Sequence, residues 1–225
     1  MLQRAVAIDP RYAMAHARLA FYRYARLAQG WRLADKAELD EIARLARQAV
    51  ELDGDDPEVL AWSAGSIGAT GRDLKFAIAL VEKALTLNPN AIVALNVIGF
   101  LQNMVGNHDG AIEYLGRAGR LNPLEGSSQR NNLMSISHFM AGRYEEACAY
   151  AERTLQDNPN FAPSLRRLAA GLGLLGRIDE ARGAVQRLLA IAPETTIARV
   201  RAYLEAEGSD PRQYLEGLRH AGLPE

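Results

Sequence analysis

Apolar residues along this chain recur at helical spacing in short blocks, each closed by a glycine or a proline. Between Ala162 and Pro193, the residues Leu165, Leu168, Ala169 and Leu172 mark one stripe and Gly176 interrupts. Ala181, Val185, Leu188, Leu189 and Ile191 then mark a second stripe, which Pro193 ends. Helical periodicity on both sides of a break predicts two antiparallel helices that share one buried seam.

The block repeats. Its ends align as AVAIDPR from Ala5, AVELDGD from Ala49, ALTLNPN from Ala84, AGRLNPL from Ala118, RTLQDNPN from Arg153 and LLAIAP from Leu188. Counted from Pro10 through Gly54, Pro89, Pro123 and Pro159 to Pro193, the spacings are 44, 35, 34, 36 and 34, so the underlying period is 34. The middles agree, reading GRDLKFA from Gly71, GNHDGA from Gly106, GRYEEA from Gly142 and GRIDEA from Gly176. Each position has a physical reason. A glycine at the turn takes left-handed backbone angles without steric cost, and an acidic residue just after it suits the positive end of the next helix. Ala77, Ala111, Ala147 and Ala181 are small where two helices come close, and a larger side chain there would cost roughly 1–3 kcal/mol. The closing proline or glycine stops the helix and releases the chain into the next unit.

This pattern resembles the tetratricopeptide repeat over about residues 1–193. The resemblance implies an all-α fold, a right-handed superhelical solenoid of stacked helical hairpins whose first helices line a concave groove. The units expected are a partial one at 1–10 and full ones at 11–54, 55–89, 90–123, 124–159 and 160–193, with capping helices over 194–225. Three departures stand out. Asn131 occupies a position that is usually large and apolar. The first full unit carries about ten extra residues around LAQGWRLADK, read as an extension of its helices and of the loop joining them, where Trp31 would pack. The chain also opens on a second helix without its first, which reads as a piece of a longer protein or as a surface covered by homodimerisation through that half-unit.

Beyond Pro193 the register stops, and Thr196–Ala206 and Pro211–Ala221 read as two further helices, with Asp210 as a cap and Pro211 at the first helical position. The closing LEGLRHAGLPE and the opening YAMAHARLAFYRYAR look like the C-terminal repeat region of bacterial class III adenylate or guanylate cyclases and winged-helix regulators. That resemblance implies a regulatory region of a larger signalling protein. It carries over no catalytic residue.

Composition narrows the chemistry. A net charge of −1 offers no field for a polyanion, so no nucleic-acid partner is expected. No apolar run reaches the length of a membrane span and no signal-peptide pattern opens the chain, so a cytoplasmic location without membrane partners is expected. Cys148, the one cysteine, reads as a small packing residue. Gly171, Gly173 and Gly176 spell G-x-G-x-x-G, but the motif ends a helix where a dinucleotide fingerprint must begin one. Asp53, Asp55 and Asp56 read as a solvated turn with an N-capping aspartate, since a calcium loop would need a different glycine and glutamate spacing. His16, His108, His138 and His220 have no ligand spacing, and His138 reads as a packed neutral histidine. No catalytic residue, metal or cofactor is expected, and the chain does not read as an enzyme.

What remains is binding. Extended peptides or partner helices lie in grooves of this kind. The resemblance maps the fifth groove-facing positions to Ala17, Ala61, Asn96, Asn132 and Arg166, and the ninth to Phe21, Gly65, Phe100, Ile136 and Ala170. Asn96, Asn132 and Arg166 would form a polar ladder flanked by Asn103 and Gln129, with Phe100 and Ile136 as an apolar pocket. An asparagine both donates and accepts, so it can hold a peptide backbone of any sequence. The partner expected is a protein or peptide. Trp62 and Tyr24, also on first helices, are explained as well by packing between units.

Overall fold

The computed structural model describes residues 1–29, 35–71, 73–123, 127–206 and 211–225. Among the described residues every regular element is an α-helix. They run α1 (Leu2–Ile8), α2 (Ala13–Gln29), α3 (Lys36–Leu52), α4 (Pro57–Ala69), α5 (Leu74–Leu87), α6 (Ile92–Met104) and α7 (His108–Leu121), then α8 (Ser127–Met140), α9 (Tyr144–Asp157), α10 (Ala162–Leu174), α11 (Ile178–Ile191), α12 (Ile197–Ala206) and α13 (Arg212–His220). The architecture is that of an all-α helical-repeat protein. No described helix is long and apolar enough to cross a membrane.

The helices start and stop where local chemistry says they should. Asp35 closes a capping box with Glu38 at the head of α3, Asp56 accepts from the Glu58 and Val59 amides at the head of α4, and Asp73 accepts from Phe76 at the head of α5. The helices α9 and α11 lack a side-chain cap and carry Glu145 with Glu146, and Asp179 with Glu180, in the first turn instead. Gly71, Gly106, Gly142 and Gly176 each sit at positive φ, between 68° and 80°, and turn the chain from one helix to its partner. Pro211 stands at the N-cap of α13 rather than inside the helix, with φ −84° and ψ −6°. A proline serves there because it has no N–H to leave unbonded. Asp210, Trp31 and most of the expected first-unit loop lie outside the described residues. Both helices flanking that loop are long, 17 residues each, against 13 or 14 in the later hairpins.

The chain divides into two compact units, and the division runs through α7. Unit 1 comprises residues 1–107 and 116–122, and unit 2 comprises 108–115 and 123–225. In unit 1, α2 packs on α3 and α4 on α5, and α4 also packs on α2, α3 and α6. In unit 2, α8 packs on α9 and α10 on α11, and α10 also packs on α8, α9 and α13. The first helices α4 and α10 are therefore enclosed on several sides, whereas the second helices α3, α5 and α9 each pack between two first helices. Every residue of α10 from Ser164 to Gly173 is buried, whereas α11 buries Ala181, Ala184, Val185 and Leu188 along one stripe. Each leucine so enclosed contributes roughly 2–3 kcal/mol of transfer free energy.

Ala77, Ala111, Ala147 and Ala181 are all 0% exposed. Cys148 is buried against α10, its thiol reaching toward the Leu168 carbonyl at 3.9 Å, and burial pushes that thiol up to about 12. A Cβ on Gly171 would stand 2.6 Å from the Cys148 sulfur. That glycine of the G-x-G-x-x-G string thus serves close helix packing in the interior of α10. Asn131 is half-buried, and Leu133 and Met134 beside it supply the core. His138 is 8% exposed and stacked on Tyr150 at 5.3 Å, with its pKa lowered chiefly by burial.

One repeat-level device went unread in the sequence. Lys83 reaches Asp55 at 2.8 Å, Arg117 reaches Asn90 at 3.2 Å and Arg187 reaches the Pro159 carbonyl at 3.3 Å, spanning 28, 27 and 28 residues. Each cation ties its second helix back to the turn that precedes its own hairpin. In the intervening hairpin Arg153 lies over the Tyr150 ring at 4.8 Å instead.

Candidate functional site

The positions expected to face a groove lie on the first helices, and the two units treat them differently. In unit 1, Ala17 and Ala61 are 0% exposed and lie beneath larger neighbours. Phe21, Trp62, Asn96 and Phe100 remain half-buried. Phe21 meets Trp62 edge-on with centroids 4.7 Å apart, and the Arg18 guanidinium lies over the other aromatic surface of Trp62 at 5.2 Å. Arg18 approaches Glu58 at only 3.9 Å, and both side chains are about half exposed, so that pair contributes little. Trp62 Nε1 and Asn96 Oδ1 are each desolvated and accept or donate no hydrogen bond. A buried donor and acceptor left in this state are unusual in a folded protein. Asn103 is half-buried on the same helix as Asn96.

In unit 2 the corresponding surface is built over. Asn132 is half-buried, and its carbonyl oxygen accepts from Arg167 Nη1 at 2.9 Å and from Ser164 Oγ at 3.4 Å. The acceptor that could hold a peptide amide is engaged across the α8–α10 seam. Arg166 is 5% exposed: its Nε donates to the Tyr214 hydroxyl at 3.1 Å, and its guanidinium sits 5.7 Å and 5.8 Å from the Tyr214 and Tyr203 ring centres. Arg166, expected at the end of the polar ladder, lies under Tyr203 of α12 and Tyr214 of α13. Gln129 is exposed and Ile136 half-buried.

The cover is intimate. Phe139, 4% exposed, takes the Tyr214 ring edge-on at 5.1 Å, and Tyr144 donates its hydroxyl to Gln213 Oε1 at 3.3 Å. Burial pulls the Arg167 guanidinium down to about 10. Phe139, Arg167, Tyr203 and Tyr214 were not singled out from the sequence. The adjacent arginines on an otherwise apolar helix were the available signal, since buried guanidinium groups require partners.

Among the described residues no group of three or more His, Cys, Asp or Glu is placed to hold a metal ion.

Residues 138–204 match the family model described as Tetratricopeptide repeat. The chain is 27% identical over 106 residues to small glutamine-rich tetratricopeptide repeat-containing protein 2 of Mycosarcoma maydis, covering 47% of this chain and 30% of that protein. It thus spans less than a third of that relative's length. Among solved structures, PilW, described as a widely conserved type IV pilus biogenesis factor, is similar with a TM-score of 0.65 at 16% identity, covering 92% of this chain and 89% of PilW. MamA is similar with a TM-score of 0.57 at 20% identity, over 71% of this chain and 91% of MamA. YrrB, described as a TPR protein with an unusual peptide-binding site, gives a TM-score of 0.55 at 17% identity, over 90% and 97%. At such identities these likenesses are of fold.

Proposed function

We propose that this chain, which carries tetratricopeptide repeats, is a non-catalytic protein-interaction module whose partner segment docks on the unit 1 face presenting Phe21, Trp62, Asn96 and Phe100. The observation that carries this reading is the half-buried aromatic surface of Phe21 and Phe100, at the ninth positions of α2 and α6, together with Trp62 of α4 against Phe21. Aromatic side chains of this kind bring large contact area at low entropic cost, and they dominate binding energy where they are found at interfaces. Asn96, whose Oδ1 is enclosed, offers its side-chain N–H groups to a peptide carbonyl irrespective of the peptide's side chains. The peptide-binding site named for YrrB, a protein of similar fold, supports a peptide as the ligand class.

The test is to select peptides from a random display library on the full chain and measure their affinity for variants. Asn96→Ala with Phe100→Ala should weaken binding by about tenfold or more without lowering the unfolding temperature, and Asn132→Ala should leave affinity unchanged. Affinity that is indifferent to the first pair and falls with Asn132→Ala would overturn the reading.

A further inference from the structure

The helix α13 is nine residues long and has no side-chain cap at its N-terminus. A helix so short is not stable alone in water, so its order derives from the surface it lies on. Leu215 and Leu218, 2% and 0% exposed, enter the unit 2 core together with Ala221 and Leu223. Between the two leucines Gly217 passes α10 almost at backbone contact. A Cβ on Gly217 would stand 2.2 Å from the Ala170 carbonyl oxygen, and one on Gly173 would stand 2.0 Å from the Gly217 oxygen.

The repeat register identifies the place that α13 fills. The counterpart of Gly173 in α4 is Gly68, where a Cβ would meet the Leu101 side chain of α6 at 2.2 Å. So α13 lies on α10 where, within unit 1, the following first helix lies on α4. It does so from outside the register, because α12 intervenes in sequence. Few polar links accompany it, namely Arg166 Nε to the Tyr214 hydroxyl at 3.1 Å, and two at 3.3 Å, Tyr144 to Gln213 and His220 Nδ1 donating to the Gly173 carbonyl. Arg219 pairs with Glu225 of the tail that follows.

We propose that this α10 face is a docking site for a short amphipathic helix of the pattern Tyr-Leu-x-Gly-Leu, occupied in the chain by α13 and open to a partner helix of the same pattern once α13 is displaced. Its recognition chemistry is specific. The floor at Ala170 and Gly173 admits only a glycine at the crossing point, Arg166 and Phe139 receive a tyrosine one turn earlier, and the leucines on either side fill the core. A tethered occupant competes at an effective concentration on the order of millimolar, so an external helix binds the intact chain weakly and the opened chain well. The inference does not depend on the unit 1 reading.

The experiment uses a labelled synthetic peptide of residues 211–225 and the full chain carrying Gly217→Val, which forces α13 off the Ala170 carbonyl. Fluorescence anisotropy should show saturable binding to this variant, at least about tenfold tighter than to the unaltered chain. The same peptide carrying Gly217→Val should bind neither. If circular dichroism shows the Gly217→Val chain unfolded, Tyr214→Ala with Leu218→Ala, which removes the Arg166 and Phe139 contacts and one core side chain of α13 without placing a clash against α10, replaces it in the same assay. Equal binding to opened and unaltered chains, or no binding to an opened chain that is folded, overturns the proposal.

Discussion

Unit 1 and unit 2 use the same hairpin, with the same glycine turns and the same buried alanines, yet only in unit 2 does a helix from outside the repeat register cover the last first helix. At the ninth positions of its first helices unit 1 keeps Phe21 and Phe100 half-buried and buries Gly65, whereas unit 2 keeps Ile136 half-buried and buries Ala170 completely beneath α13. The lesson is that the repeat pattern dictates the interior and leaves the face free to diverge. Small residues are demanded wherever helices of one array touch, and no such demand acts on the side turned away from them.

The comparison can be broken most severely from inside. Leu101→Ala in unit 1 and Leu188→Ala in unit 2 remove side chains that are both 0% exposed, and each should cost about 2–5 kcal/mol by chemical denaturation. Similar losses would show that the two interiors are equivalent. A loss below about 1 kcal/mol in either unit would show that they are not.

Glycine substitutions sharpen the contrast. Gly173→Ala drives a methyl into the backbone of α13 and should destabilise by roughly 1–3 kcal/mol. Gly65→Ala meets the Val97 methyls at 3.2 Å and 3.7 Å and the Phe21 ring at 4.0 Å, side-chain contacts that yield by a few tenths of an ångström where backbone would not, and helix propensity favours alanine by up to about 1 kcal/mol, so its net effect should be close to zero. Thermal unfolding in which both variants lose equally would contradict the difference drawn between the faces. Gly142→Val, at φ 75° with open space around it, should cost roughly 1–3 kcal/mol from backbone strain alone.

The smallest effect is electrostatic and belongs to unit 2. Burial lowers the pKa of His138, opposed by Glu146 and assisted by Arg143. The neutral ring is the form that the fold accepts, so its contribution is complete above the unfolded value near 6.5 and is lost as pH falls from there toward the lower folded pKa. Stability measured between pH 7 and pH 5 should decline, and His138→Gln should flatten the decline. An unchanged slope would mean that other groups set it.

The parts of this molecule that were legible in the sequence are those that recur every 34 residues or so. Gly71, Gly106, Gly142 and Gly176 declare the turns because left-handed backbone leaves glycine little competition, and helix ends follow from Asp56 or Pro159 by purely local chemistry. The face of unit 2 was not legible for the converse reason. Arg166 meets Tyr214 across 48 residues and Gly173 meets His220 across 47, outside the period, and nothing in the local pattern of either partner announces the other. Asn132 shows the intermediate case. Its position followed from the register, but its acceptor is taken by Arg167, which the register places beside a groove position and not on one.

Cys148 gives unit 2 an internal clock. Burial raises its thiol to about 12, so the reactive thiolate is scarce at pH 7, and the sulfur is enclosed by α10. Alkylation therefore waits for the helices around it to part. The rate of labelling at this single sulfur counts those openings, so the lifetime of unit 2 can be timed without disturbing a residue of either face.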